Sequence, residues 1–316
     1  MSAVKKKEVR TNPSWTTRFW AVVKYELLWN IRKKKFLGMV IVAFVFATLG
    51  LALPVILSNV IGESPSQNPN YAVGASIGGL GLFLFALVTV MNSISGEFES
   101  GTIVPLLTKP VSRTMVFLGK LFAAFITLLS VYAVLFVYTT IGATIVYGPQ
   151  SNLHLIPLTL LGDVLSTFVW IAIVLAIGSL SKSSLIAALG TFGIFIALFI
   201  SAPIVSVFSD QAWVLNYVPG SGATGYIKSL GAQTQFTPGM SVSTGTDNIA
   251  SNLINYILHP TSNVTFFKIV GFLPTEPLYA EPLSLVLLRS IAVALTYILV
   301  FSLISWYAFK RAQILE

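Results

Sequence analysis

The residues able to do chemistry are few and widely spaced. Acidic side chains cluster once, at Glu97 and Glu99 in the string Gly96-Glu97-Phe98-Glu99-Ser100-Gly101-Thr102, and Asp163 and Arg289 lie alone inside long apolar runs. An intramembrane enzyme would need a nucleophile with a base, or a pair of carboxylates at equal depth. No such set is evident, because the apolar runs contain one Asp, no Glu and no His, and G-x-S-x-G is absent. With no cysteine and only His154 and His259, thiolate metal sites, iron–sulfur clusters, disulfides and a His-rich metal centre are excluded. Gly220-Ser221-Gly222-Ala223-Thr224-Gly225 matches G-x-G-x-x-G, yet it follows Pro219 instead of a buried strand and has no βαβ surroundings, so it reads as a turn-rich loop. No G-x-x-x-x-G-K-[ST] phosphate loop occurs, and this chain is not expected to hydrolyse ATP.

The elements that must carry these residues are membrane helices. Of 316 residues 55% are hydrophobic and 9% charged, and mean hydropathy is +0.84, far from the balance of a soluble domain. Six runs reach spanning length, at about 37–58, 71–93, 117–147, 156–180, 184–208 and 284–309. The third is long enough to tilt or to project beyond the bilayer. The predicted fold is an all-α membrane protein: six transmembrane helices preceded by an amphipathic interfacial elbow helix, with a larger outer segment between helices five and six. Its divisions are 1–36 (basic tail and elbow), 37–208 (helices one to five, with a connecting loop at 94–116), 209–283 (outer segment) and 284–316 (helix six and tail).

The net charge of +8 is a matter of topology and not of a nucleic-acid partner. Sixteen Lys and Arg residues fall on the side of the termini and two, Lys228 and Lys268, on the other, which places both termini in the cytoplasm. Ten of them precede Phe36, and the first span is expected to remain as an anchor. Asn12 and Pro13 suit a helix start. Trp20, Val23, Leu27 and Ile31 then recur at helical spacing beside Phe19, with Arg18, Tyr25 and Arg32 opposite. Trp20 with Arg32, Lys33, Lys34 and Lys35 would meet anionic headgroups, or the basic run is a topology signal alone.

The loop after span two supplies a family. The string E-x-E-x-G-T-x-x-x-L-L-x-K-P-V-S-R followed by Gly119-Lys120, after span two of six and behind a helix carrying Lys24-Tyr25-Glu26-Leu27-Leu28, resembles the ABC-2 permeases, membrane subunits of ATP-binding cassette exporters. The resemblance implies an elbow helix before span one and a coupling helix, built from Glu97, Phe98, Glu99, Gly101, Thr102 and Arg113, that docks on a separate ATPase. It implies no cofactor in this chain, ATP and magnesium on the partner ATPase, a second permease subunit, identical or different, and a plasma-membrane location.

Three further expectations rest on the residues. Asp163 and Arg289 are costly inside spans; counted from the outer ends of spans four and six they lie at matching depths, which predicts that they pair or share a polar cavity. Gly74 and Gly78 have G-x-x-x-G spacing, suiting close helix packing or a pathway-lining helix. In the outer segment, 249–258 is predicted helical and 264–273 a strand or re-entrant turn, forming a lid or an ordered loop, and Asn263-Val264-Thr265 is a glycosylation sequon. An ion-gradient-driven secondary transporter using Asp163 and an intramembrane hydrolase or lipid-modifying enzyme are the competing functions.

Overall fold

The computed structural model describes residues 14–32, 34–61, 68–102, 111–209, 212–227, 240–270 and 273–312. Asn12, Pro13, Lys33, Lys228 and the stretch 103–110 of the connecting loop lie outside the described residues. Six helices are long and apolar enough to cross a membrane. They correspond one for one to the six apolar runs. In chain order the helices are α1 (Trp15–Arg32), α2 (Lys34–Ile61), α3 (Tyr71–Gly74), α4 (Gly79–Val90), α5 (Ser95–Glu99), α6 (Arg113–Tyr147), α7 (Ile156–Ser181), α8 (Ser184–Phe208), α9 (Ile249–Leu258) and α10 (Leu283–Arg311). Helix α6, with 35 residues, is about 52 Å long at 1.5 Å per residue, well beyond a hydrocarbon core of about 30 Å.

Helix α7 is the axis of the bundle. Of its most apolar window 72% is buried, against 6% for α2 and 22% for α8. Around it a ring-to-ring cluster closes the core: Phe83 of α4 stacks on Phe195 of α8 at 4.3 Å, and Trp170 of α7 meets both edge-on. One end of the bundle carries α1, α5 and the start of α6. The opposite end carries the 209–283 segment.

The bundle is all helical, and the 209–283 segment adds a four-stranded antiparallel sheet in the order β2-β1-β3-β4. Its strands are β1 (Thr224–Ile227), β2 (Met240–Ser243), β3 (Asn263–Val270) and β4 (Leu273–Pro282). Val264 and Phe266 alternate into a core completed by Ala202 of α8 and by Leu283 and Val286 of α10, the period-two pattern of a half-buried strand. A Cβ at Gly225 would lie 2.4 Å from Val264 Cγ1, so the strand beside β3 has to carry glycine there. The predicted helix 249–258 is present as α9.

Helix α9 enters the bundle instead of lying over it. Ala250 packs directly on α7, where a Cβ on Gly162 would sit 2.6 Å from the Ala250 Cα. Farther along, Ile254 and Leu155 share a buried cluster with Val73. Gly162→Ala is expected to lower the thermal midpoint of the purified protein, at a cost of about 1–3 kcal/mol for overpacking. Gly193→Ala in α8, where a Cβ meets nothing within 4 Å, should leave it unchanged in the same melt.

Candidate functional site

Two polar clusters are built into the bundle, one at each end. The first gathers helix α1, the segment after span two and the start of span three. Lys120 Nζ donates to Glu26 Oε1 at 2.6 Å and to Glu97 Oε1 at 2.7 Å. Lys120 and Glu26 are each 3% exposed. An ammonium placed there is expensive to desolvate, and two carboxylates in direct contact offset that cost.

Local sequence explains how the three charges meet. Ser14 precedes α1: its hydroxyl accepts from the Thr17 amide and its carbonyl from the Arg18 amide. Val23, Glu26 and Asn30 are the buried positions of α1, spaced three and four apart so that they form one stripe. Gly119 sits where a Cβ would be 2.7 Å from Val22 Cγ1, so its missing side chain lets α1 lie on α6 at the level of Lys120. The Gly-Lys pair is therefore a contact followed by a charge. Trp20 and Ile31 are left exposed on α1, at 53% and 62%, and Arg32, Lys34 and Lys35 are exposed beside them.

The other residues of this segment are also engaged within the chain. Glu99 accepts from the Ser184 amide at 2.7 Å and the Ser184 hydroxyl at 2.5 Å, a carboxylate at the N-terminus of α8, where the helix dipole favours negative charge. Arg113 donates to the carbonyls of Lys310 at 2.8 Å and Ala312 at 2.9 Å, a cation at the C-terminus of α10. Phe98 packs edge-on against Phe309. Gly101, with φ +67°, and Thr102 turn outward and are exposed. Glu97, Phe98 and Glu99 thus bind the short helix α5 to α6, α10 and α8, Arg113 ties the start of α6 to the end of α10, and Gly101 and Thr102 are left facing out.

The second cluster replaces the expected Asp163–Arg289 pair. Arg289 is instead held bidentately by Glu281 of β4, at 2.9 and 2.5 Å, because the strand entering α10 brings a carboxylate within reach before the bundle can. Asp163, fully buried, accepts from the Ser76 hydroxyl at 2.8 Å and the Ile77 amide at 3.2 Å. Those donors belong to a break in span two, where residues 75–78 are not helical and Gly78 takes φ +76°. Gly74 and Gly78 contact nothing with their Cα faces; the role of Gly78 is the positive φ and not helix packing.

A second buried carboxylate meets the same break. Asp247, in the 3-10 turn Thr246–Asn248 that leads into α9, accepts from Trp170 Nε1 at 3.0 Å. Its other oxygen lies where a Cβ on Gly79 would be only 2.6 Å away. Burial pushes its carboxyl up to about 6, against the opposing pull of the Trp170 and Thr246 hydrogen bonds. The turn is anchored by the former G-x-G-x-x-G string: the Asp247 amide donates to the Gly220 carbonyl and the Gly245 amide to the Ser221 carbonyl. Gly222, with φ +71°, touches the Gly245 backbone. The first four residues of that string form the loop, and Thr224 and Gly225 open β1.

Beside the break, α2, the 75–81 region and α6 enclose a cavity of about 300 Å³, lined mainly by apolar side chains with Tyr71, Ser76 and Thr139 as polar points. Among the described residues no group of three or more His, Cys, Asp or Glu could hold a metal ion. Asn263, the sequon residue, opens β3 and is exposed. Glu26, Lys120, Ser76, Asp247 and Trp170 were not singled out as a site from sequence. The readable signal was a lysine at the edge of an apolar run, which requires a nearby anion.

The model of the family described as ABC-2 family transporter protein matches residues 20–314. No curated protein matches the chain.

Removing one charge from the buried triad should do more harm than removing all three. Lys120→Met, which leaves two carboxylates facing each other, is expected to destabilise by about 3–5 kcal/mol. The triple substitution E26Q/K120M/E97Q should recover part of that loss. Thermal melts of the detergent-purified variants, compared in a mutant cycle, measure both.

Proposed function

Because the chain belongs to the ABC-2 family of transporter proteins, we propose that it is the permease subunit of an exporter driven by ATP hydrolysis on a separate ATPase. The observation that carries this reading is the buried Glu26–Lys120–Glu97 joint. It fastens the elbow helix and the segment after span two to one end of the longest helix, α6. A push on that segment would therefore move α1 and α6 together, and through Glu99 and Arg113 also α8 and α10.

In this reading Gly101 and Thr102 form the face offered to the ATPase, while Glu97, Phe98, Glu99 and Arg113 transmit its movement. ATP and magnesium bind on the ATPase, and no residue of this chain makes or breaks covalent bonds. The termini are cytoplasmic and the sheet faces outward, following the Lys and Arg distribution. The plasma membrane is the proposed location, and Asn263 would be available to a glycosylating compartment. A second permease subunit would cover α2 and α8, the two spans with the most exposed surface. Trp20 and the Arg32–Lys35 run would rest in the cytoplasmic lipid interface. The cargo class that suits the apolar cavity beside Ser76 is an amphipathic or lipophilic molecule such as a peptide or lipid.

The chain has no native cysteine, so single introduced thiols report without background. Thr102→Cys is expected to cross-link to a co-purifying phosphate-loop ATPase and to resist an impermeant thiol reagent added to whole cells. Asn263→Cys should react with that reagent and form no such cross-link. The opposite pattern of labelling would reverse the topology. Recovery of the chain without any ATPase, together with transport that follows a proton gradient instead of ATP, would overturn the exporter reading.

A further inference from the structure

The break in the second span brings together two buried carboxylates that come from different parts of the chain. Asp163 projects from α7 and Asp247 from the turn ahead of α9. They are 0% and 3% exposed, and they lie against neighbouring residues of one short stretch: Ser76 and Ile77 for Asp163, Gly79 for Asp247. Asp163 has both oxygens engaged. Asp247 has one oxygen on Trp170, and the other, Oδ2, is buried with no hydrogen-bond partner.

Two ionised carboxylates at one buried site need compensation. Among the described residues no Lys, Arg or His forms an ion pair with either one. The elements packed around them bring few titratable groups. Helix α6 contributes Tyr132, whose hydroxyl is bonded to Thr167, and α4 and α8 carry no charged residue at all. Helix α10 contributes Arg289, occupied by Glu281. Helix α9 contributes Tyr256, which packs with the core beneath the sheet. Helix α3 contributes Tyr71, stacked on Tyr147, and His154 lies in the short turn before α7. What remains on the positive side is the backbone: the Ile77 amide and the N-terminus of α4, both partial charges. They compensate one carboxylate, not two. The orphan oxygen also needs a donor of its own, since leaving a buried acceptor empty is costly.

We infer that Asp163 and Asp247 together form a proton-binding site at the break in the second span, occupied by one proton when the α9 segment is seated in the bundle. The proton neutralises one carboxylate of the pair, comes from and returns to water, and needs no oxidant or co-reactant. Its release leaves two like charges at one site and weakens the contact between the break, α7 and the inserted turn. The site thus links external acidity to how firmly the sheet-bearing segment is held. This inference does not depend on the exporter reading, since it concerns the chain alone.

The sign of the effect follows from the raised value of Asp247, about 6, against about 3.9 for a free aspartate. Between those limits the folded chain binds more protons than the unfolded one. Stability is therefore greatest below the window, falls as pH rises through it, and is flat above.

Infrared difference spectra of the purified full-length chain in lipid nanodiscs, taken as pH is raised from about 5 to about 8, test the site where ordinary carboxyls have already ionised. A protonated-carboxyl band should bleach over this range, and Asp163→Asn and Asp247→Asn should each abolish or shift it. Glu281→Gln should leave it in place. Trp170→Phe keeps both carboxyls and removes a hydrogen bond to the ionised form, so it should move the titration upward; this variant holds the test open if either Asn variant fails to fold. In parallel, the thermal midpoint of the wild type should drop with rising pH and that of Asp247→Asn should not. Absence of any band titrating above about pH 5, or a band unchanged in both Asn variants, would refute the site. Loss of the band on replacing choline with sodium at constant ionic strength would assign the site to a metal cation and overturn the proton.

Discussion

A lysine ammonium buried between two carboxylates organises the end of the molecule that carries α1, α5 and the start of α6. In an apolar bundle the desolvation of Lys120 is tolerable only with anions in contact, so Glu26 and Glu97 cannot be left to drift. That requirement pins α1 along α6 and seats α5 beside both. Once α5 is placed, Glu99 reaches the start of α8 and Phe98 reaches Phe309 of α10. The segment after span two thereby becomes continuous with four of the six spans. The triad makes that connection by charge and not by shape alone.

The same constraint, that nothing polar stays unpartnered away from water, shapes the opposite end. Span two is interrupted at 75–78, and broken backbone within a bundle is tolerable only where its amides find acceptors. Asp163 accepts from one of them directly. The insertion of α9 and its preceding turn then delivers Asp247 to the neighbouring position and covers the face of α7 that would otherwise be open. The cost is a pair of acids in one place, which is also what makes that place responsive.

Much of this architecture was legible in the chain. The six spans, the amphipathic helix ahead of them, the long third helix, the helix at 249–258 and the harmless glycine string all follow from periodicity, composition and turn residues. The polar segment after span two was legible too, but not the groups that hold its side chains. Glu97 turns inward to a buried cation, while the exposed Glu99 and the half-buried Arg113 are each drawn to a helix terminus nearby. The pairing of Asp163 with Arg289 failed for a related reason: depth along a helix says nothing about which side a residue faces, and Glu281 was closer in sequence to Arg289 than any residue of α7. The sheet was only partly visible, since β1 and β2 are four residues each and carry little pattern of their own.

The amino-acid sequence by itself determined that the chain spans a membrane six times, with its positive charge at one end, and that it belongs among the ABC-2 transporters. These properties depend on counts and spacings along the chain, which lipid and water read locally. Tertiary structure alone decided which charges meet. Lys120 lies 94 residues from Glu26, and Trp170 lies 77 from Asp247. Contacts between groups so far apart depend on the angles at which helices cross and on where a glycine allows close approach, as at Gly119 and Gly162. No local rule contains that information, because the energy of a buried charge depends on what the whole fold places around it.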